Sequence, residues 1–283
     1  MQFKEFGKSS FNASSVGLGT WFGRTWLMLA YPFKIHRNSK RSIEAMQIGL
    51  NAGINLIDTA EIYRSEPIVA EAIKGINRDE LFIASKVWTS NLHYDSVLRA
   101  CDNSLKRLNT TYIDLYQIHW PTKKVPIEET MRAMERLVDD GKIKHIGVSN
   151  FSLNEMIEAE DALNRNELTS TQMSYNLANR DIESDILPHC EDSKIAMMAY
   201  CPIASGTLSG AMMNSTECYR KISKKHGGKT PAQVALNWLT VKSKMVFPIP
   251  RASNPTHVKE NVNAVGWELD QHDVDLLEKK FPI

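Results

Sequence analysis

Four acid–base side chains stand at the ends of apolar segments. Asp58 closes the stretch Asn-Leu-Ile-Asp, and Tyr63 follows five residues later. Lys86 falls at the end of LFIASKV (81–87), and His119 at the end of YIDLYQIHW (112–120). A phenol with a free pKa near ~10 is a sluggish proton donor at neutral pH. An ammonium beside it favours the phenolate, so Lys86 is expected to lower the Tyr63 pKa. Asp58 would hold that ammonium charged and in place, and His119, as the neutral imidazole, would orient an oxygen by a hydrogen bond. Each residue has a bland reading as well: a helix-capping Asp, a half-buried core Tyr, a surface Lys after a strand, a satisfied core His. Those readings serve singly but fail jointly, because the residues fall at successive strand ends.

What must position them is a series of strands that finish at one end. Residues 55–57 read as a short strand after the turn at Gly53, and a helix begins near Ser65-Glu66-Pro67, where proline is tolerated in the first turn. Further strands are predicted at 15–20, 81–85, 113–117, 145–149, 169–173, 195–199 and 245–250. Helices are predicted at 39–52, 66–76, 94–107, 126–140, 152–162, 186–192, 230–243 and 254–264. Ser152-Leu-Asn-Glu155 and Thr230-Pro-Ala-Gln233 fit the capping box, and Asn254-Pro255 gives a cap followed by a fixed φ. Eight β/α units imply a parallel sheet that closes into an α/β (β/α)8 TIM barrel, with a site at the carboxyl ends of its strands. A small N-terminal hairpin over 2–13 precedes it, and an extra C-terminal helix over 270–280 follows. No linker or repeat divides residues 1–283, so one domain is expected. The aromatic stretch 22–38 is too long and apolar for a plain connection and reads as a lid over the mouth, with packing on its own side chains as the alternative.

Composition agrees with such a fold and narrows the function. With 42% hydrophobic and 24% charged residues, the chain of 283 can bury a large core. Lys+Arg 34 against Asp+Glu 33 is balanced and points to neither nucleic acid nor a membrane surface. No apolar run is long enough to span a bilayer, and MQFKEFGKSS lacks a signal-peptide core. Cys101, Cys190, Cys201 and Cys218 have neither CxxC nor metal-ligand spacing and read as reduced thiols of a cytoplasmic protein; no metal is expected. No feature sets an oligomeric state.

The order and spacing of DTAEIY, SKVW and LYQIHWP resemble those of the aldo-keto reductases. GLGTW, GVSNF, QMSYN, AYCPI and IPR…EN extend the resemblance over nearly the whole chain. It implies an oxidoreductase that reduces aldehydes or ketones with hydride from a nicotinamide cofactor, since no side chain can supply hydride. Asp58, Tyr63, Lys86 and His119 match the catalytic tetrad, with Tyr63 as general acid. Trp21, Trp88 and Trp120 match the aromatic wall of the substrate pocket, which favours carbonyls with an apolar or aromatic body; core packing is the alternative for Trp88.

The resemblance also implies the cofactor contacts. Ser149, Asn150 and Gln172 would hold the carboxamide and Tyr200 would stack on the nicotinamide, with Gly19, Thr20, Trp21 and Asp58 beside it. Cys201, Pro202, Ile203, Ser205 and Leu208 would follow the pyrophosphate, and Ile249, Arg251, His257, Glu260 and Asn261 the adenosine end. No Gly-x-Gly-x-x-Gly opens a helix after a strand, so no Rossmann site is indicated. Arg251-Ala252 replaces the family's frequent Lys-Ser, and His257 replaces its frequent arginine. Arg251, with the amides and positive dipole end of the helix that begins at Asn254, should still grip the 2′-phosphate, so NADP(H) is expected to be preferred, with NAD(H) possible. Two alternatives remain: a Schiff-base lysine at Lys86, as in barrel aldolases, and a regulatory subunit that binds cofactor, as in potassium-channel β-subunits.

Overall fold

The computed structural model describes residues 1–23, 39–210 and 216–282. Eight parallel strands form one sheet in sequential order: β3 (Leu18–Gly19), β4 (Leu56–Asp58), β5 (Phe82–Val87), β6 (Ile113–Ile118), β7 (Ile143–Ser149), β8 (Leu168–Ser174), β9 (Ala196–Tyr200) and β10 (Val246–Pro248). The sheet closes on itself. Gly17 and Gly19 N–H donate to the carbonyls of Pro248 and Pro250, and Ala252 N–H donates to Gly19, each at 2.8–2.9 Å. Gly19 is required at this seam, because a Cβ there would lie 2.6 Å from the Ile249 carbonyl oxygen.

Helices cover the outside: α1 (Ser39–Asn51), α2 (Glu66–Ala72), α3 (Tyr94–Leu108), α4 (Ile127–Asp139), α5 (Leu153–Asp161), α6 (Ile186–Asp192), α7 (Glu217–Lys225), α8 (Pro231–Lys242), α9 (Pro255–Val262) and α10 (Gln271–Lys280). Both predicted capping boxes form, at Ser152 and Thr230, and the Asn254 side chain caps α9. Three elements depart from expectation. Strand β3 is two residues long rather than spanning 15–20. Helix α2 stops at Ala72 instead of 76, since Gly75 turns the chain with φ +83°. Helix α7 was not foreseen, because Tyr219 and Ile222 are its only buried side chains and its polar remainder masks the period.

The hairpin of β1 (Phe3–Glu5) and β2 (Asn12–Ser14) plugs the amino-terminal end of the barrel. Phe6 lies 4.5 Å from the Phe82 ring and 4.8 Å from that of Phe247, and is fully buried. Burial of such a ring contributes about 1.5–3 kcal/mol. Leu56, Ala84, Leu115, Ala196 and Met198 fill the rest of this apolar floor. Two residues further along the same strands, the inward positions become Asp58, Lys86 and Gln117, a direct result of the period-two alternation. Gly147, in register with Gln117, leaves the space those side chains occupy: a Cβ there would lie 2.9 Å from Gln117 Cγ and closer still to Ser170 Oγ. Of the stretch expected to form a lid, 24–38 lies outside the described residues.

Candidate active site

The carboxyl ends of β4, β5 and β6 bring the four predicted residues together. Lys86 is wholly buried, and its Nζ donates to Asp58 Oδ1 at 2.6 Å and to the Thr59 carbonyl at 2.9 Å. Asp58, 3% exposed, also accepts from Gln172 Nε2 at 2.8 Å. These three hydrogen bonds among buried groups fix the ammonium beneath the phenol, 4.9 Å from the Tyr63 ring centroid. Tyr63 ends a single 3-10 turn, Glu61–Tyr63, and its OH lies 3.3 Å from His119 Nε2.

Electrostatics place the protons. Burial drives the His119 pKa down to about 3, with the nearby Lys86 charge acting the same way, so the ring is neutral at physiological pH. His119 Nδ1 is buried with no hydrogen-bond partner among the described residues. An orphaned N–H costs more than an orphaned lone pair, which puts the single proton on Nε2, facing the Tyr63 oxygen. The expected lowering of the Tyr63 pKa is not found. Burial raises it well above the ordinary phenol value, and the Asp58 carboxylate, Tyr200 and Cys201 add to the rise. Lys86 is itself depressed by burial and only partly restored by Asp58. The resting phenol is thus loaded with its proton.

Of the indoles, Trp21 lies 5.1 Å from the Tyr63 ring and Trp88 meets His119 edge-on at 5.2 Å, while Trp120 is a 44% exposed rim residue. Trp88 is thus half-buried against the imidazole.

On the other side of the mouth, β7, β8 and β9 supply a connected polar patch. Ser149 Oγ donates to the Gln172 carbonyl at 3.0 Å, Asn150 Nδ2 to the His119 carbonyl at 2.9 Å, and Tyr200 OH to Asn150 Oδ1 at 2.9 Å. Asn150 sits at φ 62°, and Cys201, Ala204 and Ser205 at 49°, 48° and 55°. Left-handed backbone at four such residues is a pattern of ligand clamps. Pro202 and Leu208 are buried beneath that loop, while Cys201 and Ser205 are exposed.

At the seam, Arg251 is exposed and makes no ion pair among the described residues. Helix α9 offers fewer amides than expected: Pro255 has none, and Asn254 Oδ1 occupies that of Thr256 at 3.1 Å, which leaves His257 N–H. Glu260 accepts from Thr230 Oγ1, Asn261 and Ile249 are each 5% exposed, and Thr20 turns its hydroxyl to Ser65 at 2.8 Å. A cation, a strained loop and amide-bearing side chains around one mouth fit a phosphorylated dinucleotide. Among the described residues no cluster of His, Cys, Asp and Glu could hold a metal, and no helix is long and apolar enough to cross a membrane.

A closed parallel barrel with a buried Asp–Lys pair, a phenol and an imidazole at its mouth is the architecture of a carbonyl oxidoreductase. The profile of the Aldo/keto reductase family matches residues 15–281, and the chain belongs to that family. It is 35% identical over 277 residues to methylglyoxal reductase YeaE of Escherichia coli (strain K12), covering 95% of this chain and 91% of that one. It is likewise 35% identical over 248 residues to glyoxal reductase of Bacillus subtilis (strain 168), covering 87% and 85%. An aldo/keto reductase from Klebsiella pneumoniae, solved in complex with NADP and acetate, superposes with a TM-score of 0.85 at 32% identity over 100% of this chain and 96% of that one.

Proposed function

We propose that the protein is an NADPH-dependent oxidoreductase that reduces aldehydes and ketones to alcohols, with Tyr63 as the general acid. Small 2-oxoaldehydes are the first substrates to test, given the names of its two reductase relatives. The observation that carries the reading is the Tyr63 OH 3.3 Å from His119 Nε2, with the buried Lys86–Asp58 pair beside it.

NADPH, when bound, supplies the hydride. A carbonyl oxygen placed between Tyr63 OH and His119 Nε2–H receives two hydrogen bonds in the ground state. As negative charge grows on that oxygen, the phenol proton moves to it, and the buried donors are already oriented to stabilise the change. Lys86, 4.9 Å from the ring, then faces a phenolate rather than a phenol, and its ammonium becomes more valuable at that point. Asp58 and Gln172 keep the ammonium from following the charge. The raised resting pKa of Tyr63 keeps the acid protonated well beyond neutral pH, as reduction requires.

Tyr63→Phe removes the proton donor and leaves the cofactor cleft intact. Turnover of methylglyoxal, followed as NADPH oxidation, should fall by at least ~10²–10⁴-fold while NADPH affinity holds. A variant that keeps most of its turnover overturns the assignment. Wild-type protein that quenches NADPH fluorescence without consuming it, across a panel of aldehydes and ketones, overturns the enzyme reading in favour of a regulatory subunit.

A further inference from the structure

Glu61 opens the 3-10 turn that ends in Tyr63. Its Oε1 accepts from Trp88 N–H and from Asn91 Nδ2, the latter at 3.0 Å. Both donors belong to the next β/α loop, where Trp88 precedes a second 3-10 turn, Thr89–Asn91. The two loops leave adjacent strands, whose pairing ends at Asp58 and Ala84 with one more bond from Thr59 N–H to Ala84 O at 2.9 Å. Beyond that point the Glu61 carboxylate continues the connection that the backbone ladder has given up.

What it connects is the ring arrangement. Trp88 stands edge-on to His119 at 5.2 Å and 90°, and Tyr63 stands edge-on to the same imidazole at 5.3 Å and 79°. His119 thereby meets two rings edge-on, one from each loop. Arg64, directly after Tyr63, is left-handed at φ 57°, a conformation an arginine does not choose alone, so the turn must be held by its contacts. A carboxylate suits this task because one oxygen can accept two N–H donors with charge assistance.

We infer that Glu61 is a positioning residue: by tying the Tyr63 turn to the Trp88 loop it sets the separation between the Tyr63 hydroxyl and His119 Nε2. The inference rests on the proposed role of Tyr63. Without the tether the phenol and imidazole can drift, and a misplacement of about 1 Å costs on the order of 10²-fold in rate.

The test compares Glu61→Ala, Glu61→Gln and Asn91→Ala in methylglyoxal reduction. Glu61→Ala should lower kcat by roughly 10- to 100-fold, leave NADPH affinity unchanged, and raise the deuterium isotope effect with 4-deuterated NADPH, because hydride transfer becomes more rate-limiting. Glu61→Gln keeps an acceptor oxygen for both donors and should restore kcat to within a few-fold of wild type. Asn91→Ala, which removes one donor only, should show a smaller loss of the same kind. If Glu61→Ala unfolds, the Gln and Asn91 variants decide. Full turnover in a folded Glu61→Ala, or equal damage from Gln and Ala, overturns the tether. Tyr63→Phe is run alongside: an active Tyr63→Phe brings down the reading of the site, whereas an inactive one beside a fully active Glu61→Ala brings down the role of Glu61 alone.

Discussion

Lys86→Met tests the centre of the site, because the effect on stability and the effect on rate can be read separately. Methionine fills a similar volume but removes the donor 2.6 Å from Asp58 Oδ1 and 2.9 Å from the Thr59 carbonyl. Asp58 is 3% exposed, so its carboxylate would keep only Gln172 Nε2 and no counter-charge. Deleting one partner of a buried ion pair costs about 3–5 kcal/mol. For a chain of this size one kcal/mol moves the thermal midpoint by roughly 2–4 °C, so the midpoint should fall by on the order of 10 °C. Asp58→Asn introduced on top removes the stranded charge and should return part of that loss. The coupling between the two positions should exceed about 1.5 kcal/mol, within the roughly 0.5–3 kcal/mol that contacting residues show. Turnover, however, should remain lost in the double variant, since no ammonium stands under the phenolate. Urea unfolding at pH 7.5 and NADPH oxidation give the two readouts. A Lys86→Met protein as stable as wild type, or single effects that simply add, would refute the claim that this pair is buried and mutually dependent.

Further outcomes follow from other parts of the molecule. Arg251→Ala should weaken NADPH binding by about ten- to hundredfold, the worth of a charge-assisted contact of ~1.5–3 kcal/mol, and leave NADH binding unchanged; equal weakening of both in a fluorescence titration would remove Arg251 from the 2′-phosphate. Gly147→Ala should destabilise by about 1–3 kcal/mol through overpacking against Gln117 and Ser170, measured as a lower urea midpoint at constant m value. Burial holds the His119 pKa down at about 3 against an ordinary 6.5, so the folded chain binds fewer protons than the unfolded one between those values. His119 therefore contributes stability that is present above pH 6.5 and lost as pH falls through that window, and its imidazole resonances should not titrate between pH 8 and 5.

The tetrad was legible because a strand's alternation is a local property: Asp58 and Lys86 each sit two residues beyond an inward apolar side chain, and His119 two beyond the inward Gln117. The barrel was legible for the same reason, with β/α units repeating in order. Long-range polar pairing left no local trace. Glu66 is wholly buried and is held by Ser85 at 2.7 Å and Arg107 at 2.5 Å. Asp114, 1% exposed, is held by Arg78 at 2.6 Å and the Ile83 amide at 3.0 Å. Neither carboxylate differs in its neighbours along the chain from one on a solvated face. The direction of the Tyr63 shift was misread on the same ground. Lys86 was visible as a nearby charge, but the depth of burial, which dominates, is set by the whole fold. Glu61 lay inside the DTAEIY motif, yet its partners Trp88 and Asn91 become neighbours only once β4 and β5 are side by side.

The seam between β3 and β10 has a consequence for how the molecule opens. Every other pair of neighbouring strands is joined by a ladder, whereas here a two-residue strand meets its partner through the amides of Gly17, Gly19 and Ala252. It is also where the first and last strands of the sheet meet. The cylinder is thus built like a clasped bracelet, and breathing motions should begin at the clasp. Trp21 and Arg251 lie next to those bonds along its two jaws. A ligand gripped by both would act as a bolt, slowing solvent exchange of the three seam amides far more than that of amides on the opposite wall.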